Sequence, residues 1–223
     1  MPILGYTFVA LGGYLLGSIP TGYLVARARG VDIRTVGSKN MGATNVFRTL
    51  GKGPGIFVLL VDALKGFAAV ALTMIFLQDF SHVLPQVFPN QAVSVLSNRF
   101  GFGIVAGIAA VLGHNYTCWL QFKGGKGIAT TAGVFLALAP AGFGVALGVW
   151  IIAFAATRYV SIASILAAVA LPVAVCFTQE NIAVRSIAIV LGLLAIFKHK
   201  ANIHRLMNGT EHRIDFKKAE GAQ

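Results

Sequence analysis

Charged residues are scarce in this sequence. Only 11% of its 223 residues are Asp, Glu, Lys or Arg, and 57% are hydrophobic, whereas a soluble domain usually has about a quarter of its residues charged. The chain therefore lacks the residues that cover a water-soluble globule. Several apolar runs also approach the roughly 20 residues that a helix needs to cross the hydrocarbon core of a bilayer. The composition predicts an all-α integral membrane protein.

Cysteine is almost absent, and so is any pattern of metal ligands. Cys118 and Cys176 lie within or beside apolar runs, where cysteine is typically a small packing residue. His199 and His204 have no carboxylate or cysteine at ligand spacing. We therefore expect no metal site.

Acidic residues are the scarcer of the two charge types. Seven Asp and Glu stand against 18 Lys and Arg, which gives a net charge of +11. Nearly all the basic residues lie in short loops between apolar runs, whereas nucleic-acid binding needs an exposed basic face. We expect no nucleic-acid partner, and instead expect anionic membrane lipids or phosphorylated substrates.

Six apolar runs are separated by polar stretches: Ile3–Ala26, Gly55–Leu77, Gly101–Leu120, Ile128–Ala156, Val160–Thr178 and Ile182–Phe197. The fourth run is too long for one comfortable span, and Pro140 interrupts helical hydrogen bonding, so we divide the run into Ile128–Ala139 and Ala141–Ala156. The sequence then predicts seven transmembrane helices, some short and tilted, in one domain over residues 1–223. Five spans are the alternative, because the short helices Ile128–Ala139 and Ile182–Phe197 meet the length requirement least well.

Loop charge predicts the orientation. The first loop, the Lys123–Lys126 turn and the tail that ends with Lys217 and Lys218 are rich in basic residues. The positive-inside rule places all three in the cytoplasm, with the N-terminus outside and the C-terminus inside. Asp62 and Lys65 lie within the second span, where we expect a structural ion pair facing the bundle interior; a position of Lys65 near the functional face is the alternative.

The first loop contains a dense set of hydrogen-bond donors. Residues 37–48 read GSKNMGATNVFR, so that small residues alternate with amide, hydroxyl and cationic groups. Small residues let backbone N–H groups approach an anion, and arginine binds phosphate through two parallel donors. We interpret Ser38, Asn40, Thr44, Asn45 and Arg48 as candidate phosphate ligands. An ordinary polar turn beside the lipid headgroups is the alternative.

Two further polar segments have a similar character. The second segment runs from Gly113 to Thr131: residues 113–116 read GHNY and residues 122–131 read FKGGKGIATT. Glycines beside a lysine at a helix start form an anion site. Gly127 occupies the position where a Walker A loop needs Ser or Thr, so nucleotide hydrolysis is not supported. Residues 198–211 read KHKANIHRLMNGTE. In a helix, His199, Asn202 and Arg205 would share one face, with a lipid-binding basic tail as the alternative.

In this order and spacing, the three segments resemble the bacterial acyl-phosphate:glycerol-3-phosphate acyltransferases, the PlsY family. DALKG at residues 62–66 is similar to the family as well. The resemblance implies a small seven-helix enzyme of the bacterial plasma (inner) membrane, with its active site facing the cytoplasm. It implies transfer of a fatty acyl group from acyl phosphate to the 1-hydroxyl of sn-glycerol 3-phosphate. The products are 1-acylglycerol 3-phosphate (lysophosphatidic acid) and phosphate, in the first step of bacterial phospholipid synthesis. No metal or other cofactor is implied, and we expect a monomer.

The same resemblance assigns roles to residues of this chain. It places glycerol 3-phosphate at Ser38, Lys126, His199 and Asn202, with charge contributed by Lys52. It places the acyl phosphate at Asn40, the backbone near Gly42, Asn45 and Arg48. The remaining substrate-site positions are Gly124, Gly125, Gly127 and Glu211, of which Glu211 fixes the third segment by ion pairing.

The sequence lacks an obvious general base. None of its five histidines has Asp five residues later, so the H-x4-D arrangement of other glycerolipid acyltransferases is missing. We therefore expect the protein to position two phosphorylated molecules and to stabilise charge, while the donor phosphate accepts the hydroxyl proton. Two other functions stay open: a transporter of a phosphorylated or anionic solute, and a membrane scaffold with a lipid-binding surface.

Overall fold

A computed structural model of the chain describes residues 2–82, 86 and 98–214, and every regular element in those residues is a helix. Lys217 and Lys218 of the basic tail lie outside the described residues. The α-helices are α1 (Pro2–Ser18), α2 (Thr21–Arg27), α3 (Ala43–Leu50), α4 (Lys52–Asp79), α5 (Arg99–Asn115), α6 (Ile128–Leu138), α7 (Pro140–Thr157), α8 (Val160–Thr178), α9 (Ile182–Lys198) and α10 (Lys200–Met207). Short 3₁₀ helices cover Phe80–His82 and Cys118–Leu120.

Five stretches of the described chain are long and apolar enough to cross a membrane: Ile3–Arg27, Lys52–Asp79, Arg99–Leu120, Pro140–Thr157 and Val160–Thr178. Helices α9 and α10 provide a sixth as a pair bent by 53°. By length and composition, the described helices therefore provide up to six spans, fewer than the seven that the sequence predicts. The difference lies in α6, whose 11 residues extend for only about 16 Å at 1.5 Å per residue. The predicted all-α membrane class holds, and large apolar side chains are exposed on the outer surface, among them Phe8, Leu60, Ile152 and Phe177.

The predicted division of the fourth apolar run is confirmed. Helix α6 ends at Leu138 and α7 begins at Pro140. Proline is favoured in the first turn of a helix, because its missing N–H would have no partner there. On either side of the break the two helices have different partners: α6 packs on α4, and α7 packs on α8.

Glycines bring the helices that surround the site into close contact. A Cβ on Gly66 of α4 would lie 2.1 Å from the carbonyl oxygen of Thr130 in α6. A Cβ on Gly133 of α6 would lie 1.8 Å from the carbonyl oxygen of Ala63 in α4. The backbones of α4 and α6 therefore touch at two points, and any larger side chain would force them apart.

The Asp62–Lys65 ion pair, which the sequence favoured as a structural feature, is confirmed. Lys65 Nζ lies 2.8 Å from Asp62 Oδ1, and both side chains are only 3% exposed. The Lys65 ammonium also donates a hydrogen bond to the Ile19 carbonyl, at the break between α1 and α2 (3.0 Å). Pairing offsets the cost of holding two charges inside the bundle, and it ties α4 to the first span.

Candidate active site

One large cavity brings the three polar segments together. Its volume is about 430 Å³. The predicted site residues that line it are Ser38, Asn40, Gly42, Asn45, Arg48, Lys126, Gly127, His199, Asn202 and Glu211. Most of the other lining residues are apolar, and they come mainly from α6 to α9, with Phe47 of α3 and Ile56 and Leu59 of α4. The cavity thus has a polar, cationic end and an apolar end.

The first segment is folded around the side chain of Asn45. The Asn45 carboxamide, 1% exposed, accepts a hydrogen bond from the backbone N–H of Ser38 (2.9 Å) and donates to the carbonyls of Ile33 and Val36 (3.1 Å each). Both amide protons are therefore used within the loop. The sequence placed Asn45 on the acyl phosphate, but in this geometry its side chain positions Ser38 instead.

Asn40 and Gly42 lead the loop into α3. The Asn40 side-chain oxygen accepts a hydrogen bond from the Gly42 N–H (2.8 Å), so that N–H is not directed at an anion. The next N–H groups, those of Ala43 and Thr44, belong to the first turn of α3 and have no partner within the helix. Both residues line the cavity. The anion-binding capacity expected near Gly42 thus lies one and two residues later.

The second segment is a tight turn between α5 and α6. The backbone N–H groups of Gly124 and Gly125 donate to the carbonyls of Asn115 (3.2 Å) and His114 (3.0 Å). The expectation that these two N–H groups face an anion is therefore wrong in this geometry, because the end of α5 accepts both hydrogen bonds. Gly124 and Gly125 are not among the cavity-lining residues.

Of the second segment's turn, Lys126 and Gly127 line the cavity, together with the start of α6. Gly127 has a φ of +81°, a left-handed conformation that favours glycine, and it directs the chain into α6. Gly127, Ile128 and Ala129 line the cavity. The first-turn N–H groups of α6 and the positive end of its dipole therefore face the polar end of the cavity, as do those of α3.

Lys126 connects the second segment to the third. Its ammonium donates a hydrogen bond to the Asn202 side-chain oxygen (2.5 Å), and the Asn202 amide donates to Glu211 Oε1 (2.8 Å). Glu211 Oε2 lies 2.7 Å from Arg205 Nε, and Ser161 donates to Glu211 Oε1 (3.1 Å). Glu211 therefore fixes the third segment, and Asn202 orients Lys126.

Burial changes the acid–base behaviour of this network. Removal from water lowers the pKa of Lys126 to about 8, although the Glu211 carboxylate opposes that shift. Burial alone would raise the pKa of Glu211, but hydrogen bonds from Asn202 and Arg205 outweigh it and lower the pKa. Burial also lowers the pKa of Arg48, yet a guanidinium keeps its proton at any physiological pH. The polar end of the cavity is therefore cationic at neutral pH.

His199 and Arg48 complete the polar end. The His199 ring Nδ1 lies 2.8 Å from the Ala195 carbonyl. Because a carbonyl only accepts, Nδ1 carries the proton, and Nε2 is the acceptor of the neutral ring. The Arg48 guanidinium donates to the carbonyl of His212 (2.7 Å), which links the first segment to the segment after α10.

The apolar end lies between α6, α7, α8 and α9. Phe135, Phe143, Trp150, Leu171 and Leu191 line it. The lining residues of α8 run from Val160 to Leu171, a distance of about 16 Å along a helix. This length matches an extended hydrocarbon chain of about a dozen carbons. The apolar end is therefore long enough for an acyl chain and adjoins the cationic end.

Several residues that line the cavity were not predicted to be site residues. Asp62 and His114 line the cavity, and the Trp150 indole donates to Ser164 Oγ (3.2 Å) at its apolar end. Ser161 was not predicted either, because a serine at the start of an apolar helix looks like an ordinary boundary residue. Lys52 was expected to add charge. It begins α4 and is not among the cavity-lining residues, so its role stays a prediction.

Fold and site together define a multi-pass membrane protein whose cavity joins a cationic end to a long apolar end. Such a cavity is typical of an enzyme that handles a phosphorylated lipid or its precursors. A sequence profile of the family described as "Glycerol-3-phosphate acyltransferase" matches residues 7–209. The chain belongs to the glycerol-3-phosphate acyltransferase family.

Individual relatives agree with this assignment. The chain is 44% identical over 203 residues to a glycerol-3-phosphate acyltransferase of Geotalea daltonii, with 91% of this chain and 94% of the relative covered. It is 44% identical over 218 residues to one of Synechococcus sp. (strain JA-3-3Ab), with 97% of each chain covered.

Solved structures agree as well. The crystal structure of PlsY, an integral membrane glycerol 3-phosphate acyltransferase, in its glycerol 3-phosphate form has a TM-score of 0.81 and 38% identity, covering 97% of this chain and 98% of the other. The lysophosphatidic acid form has a TM-score of 0.77 and 37% identity, covering 96% and 98%.

Proposed function

We propose that this protein transfers a fatty acyl group from acyl phosphate to the 1-hydroxyl of sn-glycerol 3-phosphate, which yields 1-acylglycerol 3-phosphate and inorganic phosphate. Membership of the family supports acyl transfer to glycerol 3-phosphate. The choice of acyl phosphate as donor is the further step. It fits a cavity whose polar end has cationic groups from separate segments, Arg48 on α3 and Lys126 before α6, because both substrates carry a phosphate.

The single observation that carries the proposal is the continuity of this cavity. Ser38, Lys126 and Asn202 come from three separate segments, yet all line one space that extends to Leu171 and Leu191 at the apolar end. A transport site would need access from both membrane faces near the midplane. A lipid-binding scaffold would need only an exposed basic surface. Neither needs phosphate-binding groups and an acyl-length apolar space to be joined.

Glycerol 3-phosphate is assigned to the side of the cavity formed by Lys126. Its phosphate is placed against the Lys126 ammonium and the first turn of α6, where charge and unpaired N–H groups both favour an anion. Ser38 and His199 then supply hydrogen bonds to the glycerol hydroxyls, with the His199 ring accepting through Nε2. Asn202 keeps Lys126 in place through their 2.5 Å hydrogen bond.

The acyl phosphate is assigned to the side formed by α3. Its phosphate is placed against Arg48 and the first-turn N–H groups of Ala43 and Thr44. The acyl chain then extends between α7 and α8, past Trp150. This arrangement puts the acyl carbonyl at the junction of the polar and apolar ends, next to the bound glycerol.

The reaction then needs little covalent chemistry from the protein. The glycerol 1-hydroxyl oxygen attacks the acyl carbonyl carbon and forms the new ester C–O bond. The C–O bond to phosphate breaks, and phosphate leaves with the electron pair. The hydroxyl proton moves to a phosphate oxygen of the donor, so the reaction is substrate-assisted. Arg48 and Lys126 stabilise the negative charge that develops, which is how preorganised electrostatics accelerate a reaction.

We further propose the full topology that the sequence predicts. Seven crossings, with α6 and α9 as short, tilted ones, put the N-terminus outside and the C-terminus in the cytoplasm. The starts of α4 and α6 and the end of α9 then share the inner face of the bacterial plasma membrane. The polar end of the cavity opens to cytoplasmic glycerol 3-phosphate, and the apolar end lies among membrane lipids. We propose a monomer, since one chain supplies all the cavity-lining residues used here.

One assay tests the donor. Purified protein in lipid vesicles is given glycerol 3-phosphate with either palmitoyl phosphate or palmitoyl-CoA, and acylglycerol phosphate is measured. We expect product from palmitoyl phosphate and none from palmitoyl-CoA. The reverse pattern would overturn the proposed donor, whereas no product from either donor would count against acyl transfer itself. Uptake of glycerol 3-phosphate into vesicles without any product would favour a transporter.

A further inference from the structure

A buried histidine lies beneath the turn that carries Lys126. His114, at the end of α5, is 4% exposed, and its Nδ1 lies 3.6 Å from Asp62 Oδ1. Asp62 is itself held by the Lys65 ammonium at 2.8 Å, and Lys65 by the Ile19 carbonyl. The imidazole therefore packs beside the Asp62–Lys65 ion pair, which joins the first span to α4.

The other edge of the same ring faces Gly125. A Cβ on Gly125 would lie 2.1 Å from His114 Nε2 and 2.8 Å from its Cε1. Any side chain at position 125 would therefore collide with the imidazole. The Gly125 backbone also donates to the His114 carbonyl (3.0 Å). The turn thus packs directly against the imidazole, and this hydrogen bond fixes it to the backbone of His114.

The next residue along the turn is Lys126, whose ammonium reaches Asn202 at 2.5 Å. A shift of Gly125 by a few tenths of an ångström moves the Lys126 backbone with it. The Asn115 carbonyl accepts hydrogen bonds from both the Gly124 N–H and the Lys198 ammonium. The end of α5 therefore sets the position of the turn relative to α9 as well.

We propose that His114 is a positioning residue for glycerol 3-phosphate binding: buried beside Asp62, its ring packs against Gly125 and so sets the position of Lys126 in the cavity. This inference rests on the proposed function, because it assigns the Lys126 side of the cavity to glycerol 3-phosphate. It predicts that disturbing the contact between ring and glycine changes the KM for glycerol 3-phosphate and leaves the KM for the acyl donor unchanged.

A double-mutant cycle tests the contact. Gly125→Ala should raise the KM for glycerol 3-phosphate about tenfold or more, since misplacing a binding group by less than 1 Å is costly. His114→Ala should raise it less, because the ring is lost but nothing collides. In the double variant the new methyl group occupies the space left by the ring, so its KM should match that of His114→Ala. Effects of independent changes would multiply instead.

Two matched controls use other glycines. A Cβ on Gly124 would lie 2.1 Å from the His114 carbonyl oxygen, which is backbone. His114→Ala should therefore not relieve Gly124→Ala. A Cβ on Gly148 in α7 meets nothing within 4 Å, so Gly148→Ala should behave as the wild type in both KM values.

A second readout needs no catalysis. Hydrogen–deuterium exchange of a peptide covering residues 121–127 reports on the amides of Gly124 and Gly125. We expect faster exchange in Gly125→Ala, and exchange in the double variant no faster than in His114→Ala.

This measurement is independent of the reaction, so an inactive wild type would refute the proposed function while leaving the contact testable. If Gly125→Ala fails to fold, His114→Ala alone must still show faster exchange at this peptide. Multiplying effects, equal changes in both KM values, or unchanged exchange in His114→Ala would overturn the inference.

Discussion

Raising the pH should weaken glycerol 3-phosphate binding through one side chain, that of Lys126. Burial lowers the pKa of this ammonium from the ordinary 10.5 to about 8. Lysine is cationic below its pKa and neutral above it, so the charge that attracts phosphate is present at pH 7 and is lost as the pH rises through about 8. The phosphate of the substrate does not obscure this change, because its second pKa is near 6.

The size of the effect follows from the pKa of the unliganded enzyme. If only the protonated form binds, the KM for glycerol 3-phosphate rises by a factor of 1 + 10^(pH − pKa). With the pKa of Lys126 at about 8, this factor is about 1.1 at pH 7 and about 11 at pH 9. The expected change is therefore about tenfold, or roughly 1.4 kcal/mol of binding free energy.

The measurement is a series of steady-state assays between pH 6.5 and pH 9.5, with the KM for glycerol 3-phosphate extrapolated to zero acyl phosphate so that it reports the unliganded enzyme. Lys126→Arg is the matched control, because a guanidinium stays charged over this range. Its KM should start higher, since the shape differs, but stay flat with pH. A wild-type KM that does not change up to pH 9.5, or an equal rise in the arginine variant, would refute the role given to the Lys126 charge.

Other predictions concern the support of the site. Asn45→Ala removes three hydrogen bonds from a buried loop, so it should lower the free energy of unfolding by about 1–3 kcal/mol, measured as a fall in the thermal midpoint together with loss of activity. Glu211→Gln should move the pH midpoint of the KM curve below about 8, because the carboxylate raises the pKa of Lys126; an unmoved midpoint would contradict this coupling. Gly133→Ala should destabilise the fold by about 1–3 kcal/mol through overpacking, whereas Gly148→Ala, where a Cβ meets nothing within 4 Å, should not lower the thermal midpoint.

Local chemistry made much of the fold predictable. Apolar runs marked the long helices, and Pro140 marked the break between α6 and α7 because proline has no N–H to donate. The number of crossings was harder, since it depends on how an 11-residue helix packs rather than on its composition. The close approach of α4 and α6 at Gly66, which has no Cβ, also depends on tertiary packing. A single glycine within an apolar run gives no sign of its partner.

The candidate site was predictable at the level of segments and less so at the level of atoms. The sequence indicated which three stretches carry the anion-binding groups, because donors are dense in them. It gave no information on which donors are used internally. Asn45 and Gly125 were both predicted to be ligands. Asn45 instead holds the loop together through its hydrogen bonds, and Gly125 packs against the His114 ring. Asp62 was visible as a charge in a span, but its place beside the cavity requires α4, α5 and α6 to be packed together.

A structure of the protein with glycerol 3-phosphate bound would test the central claim most directly. We predict that the phosphate lies within hydrogen-bond distance, about 2.7–3.2 Å, of Lys126 Nζ and of a backbone N–H in the first turn of α6. The glycerol 1-hydroxyl should point toward Arg48 and the apolar end of the same cavity. A phosphate bound outside this cavity, or one that makes no contact with Lys126, would contradict the account.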